Sequence, residues 1–286
     1  MIRLSRIRSL KVKNKVFLAP MDEVNDIAFR LLCKKAGAGL TFTGMINPQT
    51  KQKIELKDKP ALQLFGTSTK GIKEFIKKYN SKVSMWDFNL GCPAKNARKK
   101  GHGAYLTNLD VIEEIVKTIR TSTKKPISIK IRKSPISREL VEIANKYCDA
   151  IIVHPRTASQ GYSGKAEISF AEKIKQKSTI PVVYSGDINE KNAKKLLQKF
   201  DYIMIGRAAI GNPNIFREIQ GKKPKVSFMD YLKLAKKYKL YFRFIKFQAM
   251  CFTKGKRNAK KIRLKLFKAK NINDIIEVYK SEEKKE

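Results

Sequence analysis

Residues 87–106 read DFNLGCPAKNARKKGHGAYL and set one cysteine, Cys92, in a Gly-Cys-Pro turn directly after a strand-like run. Lys95, Arg98, Lys99 and Lys100 follow closely, then Gly101 and Gly103. An unperturbed thiol has a pKa of about 8.5, so near neutral pH it is mostly protonated and can serve as a general acid. Nearby cations stabilise anionic partners and also pull a thiol pKa down. Two readings compete: a tight structural turn with an incidental sulfur, or a proton-donating thiol facing a polyanionic substrate.

Other residue pairs suggest anion chemistry. In SIKIRK, Lys130 and Arg132 are two apart and so share one side of a strand. The flanking Ile127, Ile129 and Ile131 argue for a buried strand, where two cations are costly unless an anionic ligand meets them. His154, in IIVHPRT, is one of two histidines, and a lone histidine is more often a satisfied hydrogen-bonder than a catalyst. YSGDI at 184 and IMIGRAAIGNP at 203 offer glycines for close backbone approach, with Arg207 as a fork of donors for phosphate oxygens. The cysteines at 33, 92, 148 and 251 form no CxxC pair, which argues against a zinc site and for a reducing compartment. No metal is expected.

These residues need elements to hold them. β-Branched and aromatic runs begin at VFLAP 16, LTFTG 40, ALQLFG 61, MWDFNLG 85, ISIKIRK 127, AIIVHPR 150, PVVYSGD 181 and YIMIGRA 202. Amphipathic stretches such as DIAFRLLCKKAG, DVIEEIVKTIRTS and EKNAKKLLQKF lie between them. Strands alternating with helices in this number predict a (β/α)8 TIM barrel, an α/β fold. The rival, an open doubly wound sheet, lacks its GxGxxG fingerprint after the first strand. In a barrel, function gathers where strands end. Met21, Gln63, Asn89, Cys92, Lys130, Arg132, His154, Arg156, Asp187 and Arg207 all fall there.

From residue 224 the strand signal stops and only helical patterns remain, in FMDYLKLAKKYKLYFRFIKFQAMCF, KRNAKKIRLKLFK and INDIIEVYKSEEKK. Residues 221–286 carry 21 Lys and Arg against 6 Asp and Glu, roughly twice the basicity of the barrel per residue. The expected division is a catalytic barrel over 1–222 and a small, basic, all-helical domain over 223–286. The whole chain has 63 Lys and Arg against 25 Asp and Glu, a net charge of +38. No fold requires that excess, so it speaks of partners. Nucleic acid leads, because neutralised phosphates release counterions. An anionic membrane surface and a merely Lys-rich solvated surface are the rivals. The first residues lack a signal-like apolar core, and no window approaches the length of a membrane span. A soluble, cytoplasmic protein is expected.

The ordered motifs LAPM, QLFG, DFNLGCPAKNARKKGHGAYL, IKIRK, VHPRT, SGDI and GRAAIGNP resemble those of the tRNA-dihydrouridine synthases. The likeness extends into FTKGKRNAKKIRLKLFKAKN, similar to that family's C-terminal helical domain. The resemblance implies an FMN-dependent oxidoreductase that reduces the C5=C6 bond of a uridine in tRNA, with NADPH or NADH as reductant. It implies a flavin against Pro20 and Met21, with Gln63, Lys130 and His154 around its ring. Gly186, Asp187, Gly206 and Arg207 would hold its phosphate, with Ser185 also among the cofactor-binding residues. Hydride would pass from flavin N5 to uracil C6 and a proton from Cys92 to C5. Asn89 would hold the uracil edge, Arg132 and Tyr162 would lie beside the base, and Lys95 would also meet substrate. Lys99, Lys100, Lys260, Lys261 and Arg263 would contact RNA. The chain departs from the family pattern at Pro155, at Ser185, and at Lys133 and Ser134. A flavin barrel acting on a free pyrimidine, as in dihydroorotate oxidation, is the enzymatic alternative, but it has no use for a basic helical domain. A barrel that merely binds RNA is the non-catalytic alternative.

Overall fold

A computed structural model describes residues 6–283. Eight parallel strands close into a barrel in the order β1 to β8. They are β1 (Val16–Leu18), β2 (Leu40–Ile46), β3 (Ala61–Leu64), β4 (Met85–Leu90), β5 (Ile127–Arg132), β6 (Ala150–His154), β7 (Val182–Tyr184) and β8 (Tyr202–Ile205). Around them run α1 (Ile27–Lys35), α2 (Ile72–Tyr79), α3 (Lys95–Lys100), α4 (Leu109–Ser122), α5 (Ser137–Tyr147), α6 (Ile168–Lys177), α7 (Ala193–Lys199) and α8 (Ile215–Glu218). Each run read as a strand in the sequence holds a strand. The ring closes where Phe17 of β1 pairs with Met204 of β8.

Strand alternation divides the core in two. Outward residues such as Trp86, Phe88, Leu90, Ile127, Ile129 and Ile131 pack under the helices. Inward residues Phe17, Phe42, Ala61, Met85, Ala150, Ile152, Val183 and Met204 fill the lower barrel. The next inward positions toward the strand ends are polar: Gln63, Asp87, Asn89, Ser128, Lys130, Arg132 and His154. The barrel is therefore plugged with hydrocarbon below and lined with polar groups above.

The helices carry their own start and stop signals. Asp26 caps α1 by accepting from the Phe29 N–H at 2.9 Å, and Lys34 and Lys35 complement its C-terminal dipole. In α4 the Asn108 side chain caps the Val111 N–H at 3.0 Å, and Ile112, Ile115, Val116 and Ile119 form the buried stripe.

The C-terminal unit contains α9 (Phe228–Lys237), α10 (Phe242–Cys251), α11 (Ala259–Lys268) and α12 (Ile272–Glu283). The stretch 228–252, read as one helical run, is broken between α9 and α10. Lys239 adopts φ +51°, the Leu240 N–H reaches Ala235 O at 3.0 Å, and the Lys239 N–H reaches Lys236 O at 3.1 Å. Those two bonds are a Schellman stop built without glycine, which is why the sequence does not announce it. Ser227 and Asp230 form a reciprocal capping box that starts α9.

This unit is seated firmly on the barrel. Its apolar residues continue the outer core without a break, through Phe228, Tyr231, Leu232, Ile245, Ile262, Leu266 and Ile275. The Tyr231 hydroxyl donates to Asp26 at 3.1 Å, Lys35 pairs with Asp230 at 2.8 Å, and Gln248 Nε2 donates to Val24 O at 3.0 Å. Gly211, at φ +74°, sits so near the end of α10 that a Cβ there would lie 2.0 Å from Cys251 O. Only glycine fits. No helix among the described residues is long and apolar enough to cross a membrane.

Candidate active site

Cys92 stands half-buried on the loop leaving β4. Asn89 Oδ1 accepts from the Gly91 N–H at 3.1 Å and the Cys92 N–H at 2.9 Å, folding the turn back on its strand. Cys92 O accepts from the Ala104 N–H at 3.1 Å. Gly103, at φ +65°, lies so close that a Cβ would fall 2.9 Å from Cys92 Cβ. The downstream glycine thus supports the cysteine turn sterically. Arg132 Nε donates to Gly91 O at 2.8 Å and fixes the same loop from β5. Lys95, Lys99 and Lys100 are exposed on α3, which follows immediately.

Beneath the loop runs a line of polar side chains. Asn89 Nδ2 donates to Gln63 Oε1 at 2.7 Å, Gln63 Nε2 donates to Asp87 Oδ2 at 2.6 Å, and Ser128 Oγ donates to Asp87 Oδ1. Burial pushes the Asp87 carboxyl up to about 7, against the hydrogen bonds from Ser128 and Gln63 and the charge of Lys130. Burial likewise pulls the Lys130 ammonium down to about 8, and the Arg132 charge adds to this, while Asp87 and Cys92 oppose it. Both amide atoms of Gln63, and the oxygen of Asn89, are engaged within the protein.

A cavity of about 400 Å3 opens beside this line, over β1 and β5 to β8. Pro20, Met21, Lys130, His154, Ser185, Gly186, Asp187, Gly206 and Arg207 line it, so every expected cofactor residue except Gln63 is gathered there. His154 Nε2 is buried and has no hydrogen-bond partner. Burial, followed by the charges of Lys130, Arg132, Arg156 and Arg207, depresses the imidazole to about 2, so it is neutral. Pro155 packs on the same wall, and a Cβ on Gly186 would lie 3.4 Å from its Cδ and 2.9 Å from Ala166 Cβ.

The loop after β6 is held by arginines. Arg132 Nη1 donates to Thr157 O at 3.0 Å and Gly161 O at 2.8 Å, while buried Arg156 donates to Ser163 O at 3.0 Å and Gly164 O at 2.6 Å. Tyr162, 59% exposed, has its ring within cation–π reach of Arg207 at 4.7 Å and Arg132 at 5.5 Å. Asp187 accepts from Arg156 at 2.6 Å, from Arg207 at 3.0 Å and from the Ala166 N–H at 3.0 Å. Asp187 also has φ +47°, a conformation uncommon for a side chain larger than glycine.

Lys254 also lines the cavity and approaches Arg207 O at 3.5 Å from the helical unit. The sequence reading missed it, because only the fold brings it to the barrel mouth. Asp87 was missed as a site residue for a different reason: nothing marks it beyond its place beside the motif, whereas Arg156 was grouped at the strand ends without a role. Lys260, Lys261 and Arg263 are exposed on α11, away from the cavity lining, and make no ion pair among the described residues. A second groove of about 540 Å3 lies beyond Met21, where Arg243 and Phe244 of α10 face the loops after β1 and β2. No cluster of His, Cys, Asp and Glu among the described residues could hold a metal ion.

Comparison with known proteins bears on the fold and the family. The fold resembles that of a variant of NCR from Zymomonas mobilis, with a TM-score of 0.55 at 11% identity over 79% of this chain and 93% of that one. It also resembles morphinone reductase, with a TM-score of 0.53 at 14% identity over 79% of this chain and 92% of that one. In sequence, the chain is 34% identical over 237 residues to tRNA-dihydrouridine synthase B of Shigella flexneri, covering 75% of this chain and 74% of that protein. It is 36% identical over 241 residues to the protein of the same name from Proteus vulgaris, covering 75% and 73%. The family described as dihydrouridine synthase (Dus) matches residues 17–284, and the chain belongs to that family.

Proposed function

We propose that this protein is an FMN-dependent tRNA-dihydrouridine synthase that reduces the C5=C6 bond of a uridine, with NADPH or NADH as the electron source. One observation carries the reading. A half-buried thiol on the β4 loop stands next to a cation-lined cavity on β5 to β8, in which a buried imidazole nitrogen lacks a partner.

The residues fit FMN. His154 Nε2 waits for a hydrogen-bond partner, Lys130 presents a half-buried cation, and Arg207 and Lys254 flank glycine turns at Gly186 and Gly206. That donor set suits a polar ring edge at one end and a phosphate at the other. Pro20 and Met21 supply the apolar wall. Bound and reduced, FMN supplies a hydride equivalent.

The protein's own residues supply the rest. When uracil C6 is reduced, negative charge develops on C5 and O4, and Cys92 holds the proton that C5 takes up. The Lys130 and Arg132 charges stabilise that developing anion. Asn89 shapes the loop that presents the thiol, and its remaining amide hydrogen is available to the base. Arg132 and Arg207 hold Tyr162 at the rim as a stacking face for an extruded base. Extrusion costs a few kcal/mol, and cations along the RNA path offset it. We assign that path to Lys95, Lys99 and Lys100 of α3 and to Lys260, Lys261 and Arg263 of α11. Residues 1–222 then form the catalytic barrel and 223–286 the RNA-holding unit.

The decisive experiment maps dihydrouridine in tRNA from a strain lacking the protein, before and after incubation with purified protein and NADPH. New dihydrouridine at defined positions supports the reading. No change in tRNA, with turnover of a free pyrimidine instead, would replace it with the alternative enzyme.

A further inference from the structure

We infer that Asp87, from inside the barrel, is a positioning residue for the acid loop: through Gln63 and Asn89 it sets the direction in which Cys92 is presented. The inference rests on the proposed reading only in naming Cys92 as the acid.

Gly91 and Cys92 offer two backbone N–H groups, and these can only donate. Asn89 must therefore turn its oxygen to them, at 3.1 and 2.9 Å, and its NH2 away, to Gln63 Oε1 at 2.7 Å. With its oxygen so engaged, Gln63 must point its NH2 down the strand. Only an acceptor can close the line there, and Asp87 Oδ2 does so at 2.6 Å. The other carboxylate oxygen is fixed by Ser128.

No solvent can substitute for this carboxylate. Asp87 is 0% exposed, Gln63 1% and Asn89 7%. Without an acceptor at position 87, one of two things must happen. A buried Gln63 N–H stays unpaired, at about 1–3 kcal/mol. Otherwise both amides turn over and set NH2 against the Gly91 and Cys92 N–H groups, donor facing donor. Either outcome loosens the turn that aims the thiol. Asp87 thus acts on the reaction without lining the cavity, since that lining contains Lys130 and His154 but neither Asp87 nor Gln63.

The test uses flavin-loaded protein and two readouts. One is the iodoacetamide alkylation rate of Cys92, resolved by peptide mass spectrometry with buried Cys33 and Cys148 as internal references. The other is single-turnover reduction of uridine in tRNA. Asp87→Ala should change Cys92 alkylation and slow uridine reduction about tenfold or more, in the limiting single-turnover rate rather than in the tRNA concentration that half-saturates it. Asp87→Asn can keep an oxygen toward Gln63 and turn its NH2 to Ser128 Oγ, so it should recover to within about threefold. Gln63→Met breaks the same line one residue higher, and Asp87→Ala added to it should cost nothing further in alkylation.

Unchanged Cys92 alkylation in Asp87→Ala, additive effects in the double variant, or Asp87→Asn as impaired as Asp87→Ala would each overturn the proposal. If Asp87→Ala does not fold, Gln63→Met decides alone, and wild-type alkylation there overturns it. The alkylation arm needs no RNA. A wild-type protein that makes no dihydrouridine would therefore refute the proposed function while leaving this inference separately testable.

Discussion

Arg207 donates to Asp187 at 3.0 Å across the floor that separates the β7 and β8 loops. An ionised carboxylate can only accept, so the Asp187 side chain cannot itself grip a phosphate. It holds the two arginines and the Ala166 N–H, and so sets the β6 loop that carries Tyr162. Burial pushes the Asp187 carboxyl up, but the Arg156 hydrogen bond, the Ala166 N–H and the two arginine charges outweigh it and hold it below the usual range. A depressed folded pKa gives stability that is present above the unfolded value of about 3.9 and lost as pH falls through the folded one. Asp187→Asn should therefore melt below the wild type at pH 7, and the gap should close below about pH 4. Thermal melts across that window check it, and a gap independent of pH would contradict it.

Cys92→Ala should retain flavin and still be reduced by NADPH, because the thiol lies outside the cavity that would hold the cofactor. Reduction of uridine in tRNA should fall by about 10²–10⁴-fold, the usual worth of a positioned acid. Stopped-flow measurement of the two half-reactions separates these effects. Undiminished turnover would remove Cys92 from the chemistry.

His154 is held neutral, its imidazole pulled down to about 2 by burial and by four neighbouring cations. In the unfolded chain it titrates near 6.5, so the folded state binds fewer protons below that pH. Stability should accordingly decline as pH drops from about 7 to 5, and His154→Gln should decline less over the same range. Denaturant midpoints at three pH values suffice to compare them.

Lys260, Lys261 and Arg263 share the exposed side of α11. Reversing all three to Glu should weaken tRNA binding and reduce the slope of log K against log salt by about 0.7–0.9 for each phosphate no longer neutralised. The barrel should remain folded, since none of the three is buried. Equal affinity and equal slope would place the RNA elsewhere.

Much of this site was legible in the sequence, because a barrel converts linear order into convergence. Inward positions and loops at the strands' C-terminal ends gather at one mouth, so Lys130, His154, Asp187 and Arg207 could be grouped from eight strand ends alone. Cys92 announced itself through Gly91, Pro93 and Gly103, whose shapes serve a tight turn. What stayed hidden depends on how distant segments meet. Lys254 reaches Arg207 only because α10 docks beside the loop after β8. The engagement of Gln63 by Asn89 and Asp87 depends on strand pairing, which brings positions 63 and 87 into register. The break between α9 and α10 escaped notice because Lys239 takes a conformation that usually signals glycine.

One junction between the two units has a wider effect. At Gly211 the barrel and the end of α10 meet backbone to backbone, with space for a hydrogen and nothing larger. Even an alanine there must wedge the helices outward. If, as proposed, RNA is held on one unit and the base is reduced on the other, this contact would set the spacing between the two. Substitution at Gly211 should then shift or blur the position of the modified nucleotide, which mapping dihydrouridine in tRNA would show.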